Sequence, residues 1–456
     1  MFGLILATAL ASAPFLKMSV DVQEFGIHGS GTILVDRAKG RYVRTFLAGP
    51  ASDSEGYDGH LAWLADATNA SYIQGDSDAK EAIIGWSNLY SRFGSTLMPT
   101  AVQVRRSPGA EHATFSNFHC IEKSFCPPFT ISITSEEGTR SVSVRKIEAL
   151  DRVPSGAFAP THARDDAAIS SGAPVAVVQI LPETYGGHRL PLTIMGVSID
   201  GSRPLRLLLD SGGQNVLTPS AAQQLGLRTY GSVQVGGAGA GTISASFAWV
   251  NRMQIGDATL QHQPFLILPL AGILPDIDGI VGAELLSRFV TRIDFRSNTV
   301  EFAKVAPPSW TLDSVGTPIA FSDTAPTLAG AVDGFPGTFL LDTGAAGSVD
   351  INAPFSLRNG LFERYRGNNA SGLNGVGGNV QVTNVTIGQF ELGRCFLTRV
   401  PATLAHAGGG ASASSSIAGV VGQILLRKFD SMVMDYAKRQ VSLGSSGTAT
   451  CEPRGA

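Results

Sequence analysis

Two aspartates are the residues of this chain best suited to do chemistry together. Asp210 opens the tripeptide Asp-Ser-Gly after three leucines, and Asp342 opens Asp-Thr-Gly after Phe-Leu-Leu. Two carboxyl groups about 3 Å apart cannot both ionise, so they share one proton. The ionised member can take a proton from water while the protonated member donates to a carbonyl oxygen. If the fold brings these aspartates together, the sequence predicts an acid–base pair that activates water.

The segments around the two tripeptides repeat each other, which indicates two lobes built alike. Upstream, residues 197–201 and 331–334 each end in Asp-Gly, which is typical of a hairpin turn. Downstream, Ile280-Val281-Gly282 and Val420-Val421-Gly422 each open a helix-like run that leads to two further strands. The aspartates are 132 residues apart (210 to 342) and the glycines 140 (282 to 422). A Gly/Ser-rich insertion at residues 408–416 can supply the difference.

From about residue 188 to 446 the sequence resembles the aspartic proteases of the pepsin and retropepsin type. In that family each lobe contributes one Asp-[Thr/Ser]-Gly and one apolar-apolar-Gly segment, and both halves here keep both in order. The resemblance implies that Asp210 and Asp342 form the catalytic pair. It also implies four supporting positions, namely two hydroxyls that brace the loops and two glycines that leave room for close approach: Ser211, Thr343, Gly212 and Gly344.

Two glycine-rich hairpins follow the aspartates at similar distances, over residues 233–243 and 373–382. In the resembled family a flap at this position closes over substrate. A flap in each half is more similar to retropepsins than to pepsins, which have one. The flap positions expected to bind substrate are Gly236, Gly237, Gly239, Gly377 and Gly378. The alternative interpretation is a pair of plain surface hairpins. The first tip also lacks the tyrosine usual in pepsins.

Composition limits the classes of partner and the fold. The chain has 456 residues, which predicts about three domains, and 53 glycines with 16% charged residues favour a β-rich protein with many turns. The net charge is −3 and no Lys/Arg run stands out, so we expect no nucleic-acid partner. No apolar stretch reaches the roughly 18 residues that a membrane span needs. No cofactor or metal site is expected, because His119 and Cys120 lack a second ligand pair.

The predicted fold class is mainly β, with two homologous closed-barrel-like acid-protease lobes in one chain and an N-terminal strand-rich domain with a helix. The predicted boundaries are a signal peptide at 1–11, an N-terminal domain at 19–165, a linker at 166–187, and lobes at 188–307 and 316–446. The apolar start with Ala9-Leu10-Ala11 predicts export to a periplasm or beyond. Four cysteines allow three pairings. Cys120 with Cys126 can close a small loop, and Cys395 with Cys451 can hold the C-terminal tail.

Three functional hypotheses stand on these patterns. The leading one is a secreted aspartic endopeptidase that acts on peptide or protein substrates. Because both aspartates are in one chain, dimerisation is not required to build its site. The second is a catalytically idle, protease-like peptide-binding protein. The third is an envelope carrier that acts through a large apolar cavity in its N-terminal domain. That domain is either a removed propeptide or a retained module.

Overall fold

The fold is taken from a computed structural model of the chain. It describes every residue except 1–9, 11, 96–97, 106–109, 186–187, 271, 274–275, 311–315, 367–368, 407–409, 446, 448 and 452–456. The predicted signal peptide at 1–11 therefore lies outside the described residues, apart from Leu10. Strands make up 53% and helices 12% of the structure, which confirms the predicted mainly-β fold.

The described chain divides into two compact units. The first extends to Arg164 and also includes Tyr230–Gln234, and the second comprises Asp165–Thr229 and the chain from Val235 onward. Both aspartates belong to the second unit, and so do both predicted lobes apart from Tyr230–Gln234. The second unit begins at Asp165, the last residue of the predicted N-terminal domain, and the domain boundaries themselves stay predictions.

The described part of the first unit is a sheet with a helix packed against it. Its strands run β1 Phe15–Glu24, β2 Ile27–Asp36, β3 Arg41–Leu47, β4 Asp53–Tyr57, β5 Ala62–Ala65, β6 Ser71–Ile73, β7 Ala101–Arg105, β8 Ala110–Phe118, β9 Pro128–Ser135 and β10 Gly138–Leu150. They lie in the order β6-β5-β4-β3-β2-β1-β10-β9-β8-β7. A short 3-10 helix, Gly49–Ala51, precedes β4.

Helix α1, Ser77–Ser91, covers this sheet because one of its faces is apolar. Asp76 caps its first turn by accepting from the amides of Asp78 and Ala79. Its buried side chains include Ile83, Trp86 and Tyr90, which join the apolar core formed by the sheet. The unit therefore has its own core, as expected for a separate domain. A disulfide joins Cys120 to Cys126.

The second unit contains the two repeated lobes. The first lobe and its leading strands comprise β11 Ala167–Ile169, β12 Ala176–Gln179, β13 Leu181–Tyr185, β14 His188–Ile199, β15 Leu205–Leu209, β16 Val216–Leu217, α2 Pro219–Gln224, β17 Thr229–Gly236, β18 Thr242–Ile255, β19 Ala258–Ile267, β20 Gly279–Val281, α3 Ala283–Leu286, β21 Val290–Asp294 and β22 Thr299–Ala303. The main sheet runs in the order β11-β19-β16-β20-β15-β14-β18.

The second lobe follows the same plan after a short 3-10 helix at Pro308–Trp310. It comprises β23 Thr317–Pro318, β24 Ala320–Ser322, β25 Ala325–Val332, β26 Phe335–Leu341, β27 Val349–Ile351, α4 Ala353–Arg358, α5 Leu361–Arg364, β28 Ala370–Gly375, β29 Gly378–Leu392, β30 Cys395–Ala405, a 3-10 helix Gly410–Ala413, β31 Gly419–Val421, α6 Gln423–Leu426, β32 Ser431–Asp435, β33 Gln440–Leu443 and β34 Thr450–Cys451. Its main sheet runs β24-β25-β26-β31-β27-β30-β29-β28, and a disulfide joins Cys395 to Cys451.

Equivalent strands pair alike in the two lobes. The predicted Asp-Gly turns are present, with positive φ at Asp200 (49°) and Asp333 (47°) and at the glycine after each. In both lobes the strand before the aspartate pairs in parallel with the apolar-apolar-Gly strand, β15 with β20 and β26 with β31. The sequence repeat therefore corresponds to a repeat in topology.

A six-stranded sheet, in the order β12-β22-β21-β32-β33-β23, joins the two lobes. Its central pair is antiparallel, with Thr291 opposite Met434 and Asp294 opposite Ser431. Residues 166–187, assigned above to a linker, instead contain three strands that pair with this unit: β11 with β19, β12 with β22 and β13 with β14. They are short, and the partners of β11 and β12 lie far along the chain, so no local pattern marks them.

Candidate active site

Asp210 and Asp342 lie at equivalent places, directly after β15 and β26. The backbone amide of Asp210 donates to the carbonyl of Val281 at 3.0 Å, and that of Asp342 donates to Val421 at 3.0 Å. The apolar-apolar-Gly strand thus fixes the backbone of each aspartate. The contact is possible because the strand before each aspartate is parallel to its apolar-apolar-Gly partner, so both strands end at the same edge of the sheet.

The hydroxyl residues after the aspartates hold the two loops together reciprocally. The amide of Ser211 donates to Thr343 Oγ1 at 2.9 Å, and the amide of Thr343 donates to Ser211 Oγ at 3.0 Å. Each hydroxyl then donates across to the other lobe: Ser211 Oγ to Leu341 O at 2.7 Å and Thr343 Oγ1 to Leu209 O at 2.8 Å. Both side chains are fully buried. Four buried backbone groups thereby find partners between the lobes.

The glycines of the tripeptides allow each loop to approach the opposite carboxyl group. A β-carbon added at Gly212 would lie 2.6 Å from Asp342 Cγ, and one added at Gly344 would lie 2.7 Å from Asp210 Oδ1. Real β-carbons do not come that close to other heavy atoms. The glycine amides also serve their own aspartates, since Gly212 N donates to Asp210 Oδ1 at 2.8 Å and Gly344 N to Asp342 Oδ1 at 2.7 Å.

The two carboxyl groups are brought close together, since each lies against the glycine of the opposite loop. Burial raises the pKa of Asp210 well above its ordinary range, and the charge of Asp342 and the hydrogen bond to it raise that pKa further. Burial also raises the pKa of Asp342, while hydrogen bonds from Asp210 and from the amides of Gly344 and Ala345 oppose that rise. A raised pKa at both groups is what is expected of closely spaced, buried carboxyl groups that share a proton.

Behind the aspartates the two lobes use different side chains. In the first lobe Asn215 Oδ1 accepts from Gly282 N at 3.1 Å, and Asn215 N donates to the buried Glu284 at 2.9 Å. In the second lobe Gly422 N donates to Ser348 O, and the buried Gln423 holds the loop. No motif in the sequence predicted a role for these residues. The available signal was the residue after each apolar-apolar-Gly segment, which is Ala283 in one copy and Gln423 in the other.

A third carboxyl group lies near Asp342. Asp350, on β27, is partly buried and accepts from Thr403 Oγ1 at 2.6 Å. Burial raises its pKa, the hydrogen bond from Thr403 opposes that rise, and the charge of Asp342 adds to it. Among the described residues, no group of three or more His, Cys, Asp or Glu side chains has the arrangement of a metal site.

The tips of the two glycine-rich hairpins meet. Gly239 N donates to Val376 O at 2.7 Å and Gly241 N donates to Gly377 O at 2.8 Å. A β-carbon added at Gly239 would lie 2.7 Å from Gly377 O, and one at Gly237 would lie 2.7 Å from Val376 Cβ. Of the five predicted flap glycines, Gly237, Gly239 and Gly377 lie in this contact. Gly236 and Gly378 have open space where a β-carbon would project.

A third segment also holds the first hairpin tip. It is the Gly/Ser-rich stretch expected as an insertion, where Ala411 N donates to Gly237 O at 2.9 Å. The buried Asn352, which precedes α4, anchors this stretch by donating to Ala411 O at 3.1 Å and Ile417 O at 3.0 Å. A β-carbon at Gly410 would overlap the carbonyl oxygens of Gly237 and Gly239. The two hairpin tips and the stretch around Ala411 therefore meet through their backbones, at positions where glycine has no side chain to keep them apart.

The segment that carries Asp210 is similar to a known family. A family described as aspartyl protease matches residues 195–285, which include Asp210 and the Ile280-Val281-Gly282 strand. No curated protein matches the chain. In the described part of the chain, the helices are too short or too polar to cross a membrane.

Solved structures with matching segments include a retropepsin-like aspartic protease from Rickettsia conorii, 20% identical, with 28% of this chain aligned to 92% of that one and a TM-score of 0.20. An uncharacterized conserved protein from Thermus thermophilus is 10% identical, with 34% of this chain aligned to 87% of that one and a TM-score of 0.20. The family match supports a place among aspartic proteases for the segment that carries Asp210.

Proposed function

We propose that this protein is an aspartic endopeptidase in which Asp210 and Asp342 activate water to hydrolyse peptide bonds. The observation that carries the proposal is the close approach of the two carboxyl groups, held by the reciprocal hydrogen bonds of Ser211 and Thr343. The family match to residues 195–285 supports the peptidase class. The paired hairpin tips support a retropepsin-like cleft with two flaps, and both lobes in one chain remove the need for a dimer.

The chemistry requires one ionised and one protonated carboxyl group. The ionised member takes a proton from a water molecule whose oxygen attacks the scissile carbonyl carbon. The protonated member donates its proton to the carbonyl oxygen, which gives a neutral tetrahedral diol. Collapse of the diol breaks the C–N bond while the second carboxyl group, now ionised, takes back a proton from one diol hydroxyl. The proton held by the first carboxyl group passes to the leaving nitrogen, which restores the starting state of the pair. No covalent bond between enzyme and substrate forms.

The test is cleavage of an unfolded protein and of a mixed peptide library from about pH 3 to pH 8. We expect wild-type protein to cut within chains, and Asp342→Asn to lose that activity because an amide cannot take a proton from water. Asp210→Asn should do the same. Inhibition by pepstatin would add support, provided that the inhibitor fits the cleft. The high pKa of Asp210 places loss of activity on the alkaline side well above the usual range of an aspartate.

Two outcomes would move the assignment elsewhere. Peptide binding without cleavage by folded wild-type protein, also after removal of the first unit, would favour the idle binding protein. Cleavage that survives in both Asp→Asn variants would contradict the carboxyl pair as the catalytic group. Near-ultraviolet circular dichroism of each variant serves as the folding control.

We also propose that the chain is exported. The two disulfides, Cys120–Cys126 and Cys395–Cys451, support this because such bonds persist mainly in oxidising compartments. Expression from the natural start, followed by cell fractionation and N-terminal sequencing, tests the proposal. We expect mature protein outside the cytoplasm with a new N-terminus near residue 12. Uncleaved protein confined to the cytoplasm would contradict it.

A further inference from the structure

Gln423 is the buried side chain that most clearly distinguishes the two halves of the carboxyl pair. It is the first residue of α6, directly after the Val420-Val421-Gly422 segment, and it is 0% exposed. Its Nε2 donates to Thr343 O at 2.9 Å and to Thr193 Oγ1 at 2.9 Å. Because a carbonyl oxygen can only accept, the nitrogen of the amide must face Thr343. The equivalent position in the first lobe is Ala283, whose side chain cannot donate.

The peptide group between Thr343 and Gly344 carries the effect of Gln423 to Asp342. A trans peptide is planar, with its C=O and N–H pointing in opposite directions. On one side of this group Thr343 O accepts from Gln423, and on the other side Gly344 N donates to Asp342 Oδ1 at 2.7 Å. A donor on the carbonyl polarises the peptide and strengthens its N–H as a donor, as in other chains of hydrogen bonds. It also fixes the orientation of the peptide plane.

The two carboxylates are therefore stabilised unequally by the backbone. Asp342 Oδ1 accepts from Gly344 N at 2.7 Å and from Ala345 N at 3.0 Å, whereas Asp210 Oδ1 accepts from Gly212 N at 2.8 Å. The amide of Gly344 also lowers the pKa of Asp210, so the added bond from Ala345 and the short bond from Gly344 are what distinguish Asp342. Hydrogen bonds to the charged form of a carboxyl group favour that form. Burial raises the pKa of both carboxyl groups, so the contrast between them rests on the hydrogen bonds to their oxygens.

We propose that Gln423 is a positioning residue that makes Asp342 the ionised member of the pair and leaves the proton on Asp210. It acts through the Thr343–Gly344 peptide and does not touch the reacting atoms. Its catalytic meaning rests on the proposed function, in which Asp342 is then the group that takes the proton from water. The assignment of the proton itself does not depend on any activity.

Other charged and titratable groups face this pair and must be kept constant in a test. They are Asp350 on β27, which interacts with Asp342, and the buried Tyr436 after β32, which interacts with Asp210, Asp342 and Glu284. The negative charge of Asp350 acts on Asp342 and opposes its ionisation, whereas Tyr436 is a neutral phenol because its pKa is raised well above its ordinary value. Both residues are unchanged in the variants below, so a difference between those variants reports on Gln423.

The experiment is a carbon-13 NMR titration of the aspartate carboxyl groups in the full-length protein without substrate, with signals assigned from Asp210→Asn and Asp342→Asn. In wild-type protein we expect the Asp342 signal to carry most of the first ionisation step. In Gln423→Met, which keeps the length but lacks the donor, that step should move up by roughly 0.5 to 1 pH unit. Gln423→Glu should move it further once the new carboxylate ionises.

Two control variants separate this role from simple packing. Thr193→Val removes the other acceptor of Gln423 but leaves the bond to Thr343, so the first step should stay near its wild-type position. Ile424→Ala alters an exposed neighbour on the same helix and should also have no effect. A folded Gln423→Met with an unchanged titration would overturn the proposal. So would a wild-type titration in which Asp210 ionises first.

Activity measurements then distinguish failure of this inference from failure of the proposed function. If the enzyme cleaves peptides, the acid limb of kcat/KM should move with the NMR step in Gln423→Met. If wild-type protein cleaves nothing but the titration changes as expected, the proton assignment stands and the peptidase proposal fails. If wild-type protein cleaves peptides but the acid limb of kcat/KM is the same in Gln423→Met, the peptidase proposal stands and the role of Gln423 fails.

Discussion

At the scale of single residues, the carboxyl pair depends on two glycines that have no side chain as much as on the hydroxyl groups beside them. Gly212 and Gly344 have no side chain, and each lies against the carboxyl group of the other lobe. Glycine at these positions is therefore a steric requirement of the pair. The hydroxyls of Ser211 and Thr343 supply the complementary attraction through four hydrogen bonds.

Gly344→Ala tests this steric requirement. The added β-carbon would fall 2.7 Å from Asp210 Oδ1, so the loop must shift and separate the two carboxyl groups. We expect peptide cleavage to drop at least about a hundredfold, because misplacement by about 1 Å is enough for such a loss. The measurement is kcat/KM on a peptide cut by wild-type protein.

Gly447→Ala is the matched control, since a β-carbon there meets nothing within 4 Å. It should retain wild-type kcat/KM and a similar free energy of unfolding. Equal activity of Gly344→Ala and Gly447→Ala would mean that the close approach of the loops is not needed for cleavage.

Sequence alone predicted the residues whose contacts repeat in both lobes. Asp210 and Asp342, with the hydroxyl and glycine after each, follow from a local motif that occurs twice. Gln423 did not follow, because its partner Thr193 is 230 residues away and only the packed register of α6 against β14 brings them together. The sequence shows only that Gln423 and its equivalent, Ala283, differ, and this difference does not identify the partners of Gln423.

At the scale of elements, the meeting of the hairpin tips is the feature that the sequence indicated only in part. Glycine-rich tips after β17 and β28 were predicted, but their mutual hydrogen bonds and the third contact from Ala411 were not. Backbone-to-backbone contacts leave little trace in side-chain pattern, apart from the glycines that allow them. Likewise β12 pairs with β22 over a separation of about 120 residues, which no local periodicity reveals.

Gly410→Ala should open this contact. Its β-carbon would overlap the carbonyl oxygens of Gly237 and Gly239, so the hydrogen bond from Ala411 N to Gly237 O must break or lengthen. We expect amide hydrogen exchange over residues 237–241 to quicken at least about fivefold, since one hydrogen bond contributes about 1 kcal/mol. Peptide-resolved exchange by mass spectrometry measures it.

Gly360→Ala separates this effect from backbone strain. Gly360 has φ 64° and Gly410 has φ 54°, so alanine at either position incurs similar left-handed strain, but Gly360 has open space around its would-be β-carbon. It should leave exchange at the tips unchanged. If both variants quicken exchange alike, the contact at Gly410 is not what holds the tip.

At the scale of the whole molecule, buried carboxyl groups in both units make folding depend on pH in the same direction. In the second unit they are Asp210 and Asp342, whose pKa values are raised by burial. In the first unit burial raises the pKa of Glu24 to about 7, although Arg140 donates to Glu24 Oε1 at 2.8 Å. The net charge of −3 is a sum over all charged residues, so it does not indicate which carboxyl groups are buried.

The sign of the Glu24 effect follows from proton binding. Between about pH 4.5, the ordinary pKa, and about pH 7, folded Glu24 holds a proton that the unfolded chain has released. The contribution of Glu24 to the stability of the first unit is therefore complete below about pH 4.5. It is lost as the pH rises from there through about 7. A shift of this size corresponds to at most about 3 to 4 kcal/mol of unfolding free energy. The pKa of about 7 already includes the opposing effect of Arg140.

Glu24→Gln should remove this part of the pH dependence, because a neutral amide replaces the group that titrates. Urea unfolding of the full chain at about pH 5 and pH 8, with hydrogen exchange over β1 and β10 to report on the first unit, measures it. Wild-type protein should lose stability between the two pH values, and Glu24→Gln should lose less. Glu136→Gln makes the same change in net charge at an exposed position and should behave like wild type. If Glu24→Gln and Glu136→Gln have the same pH dependence, the bond to Arg140 keeps Glu24 ionised in the folded state and outweighs its burial.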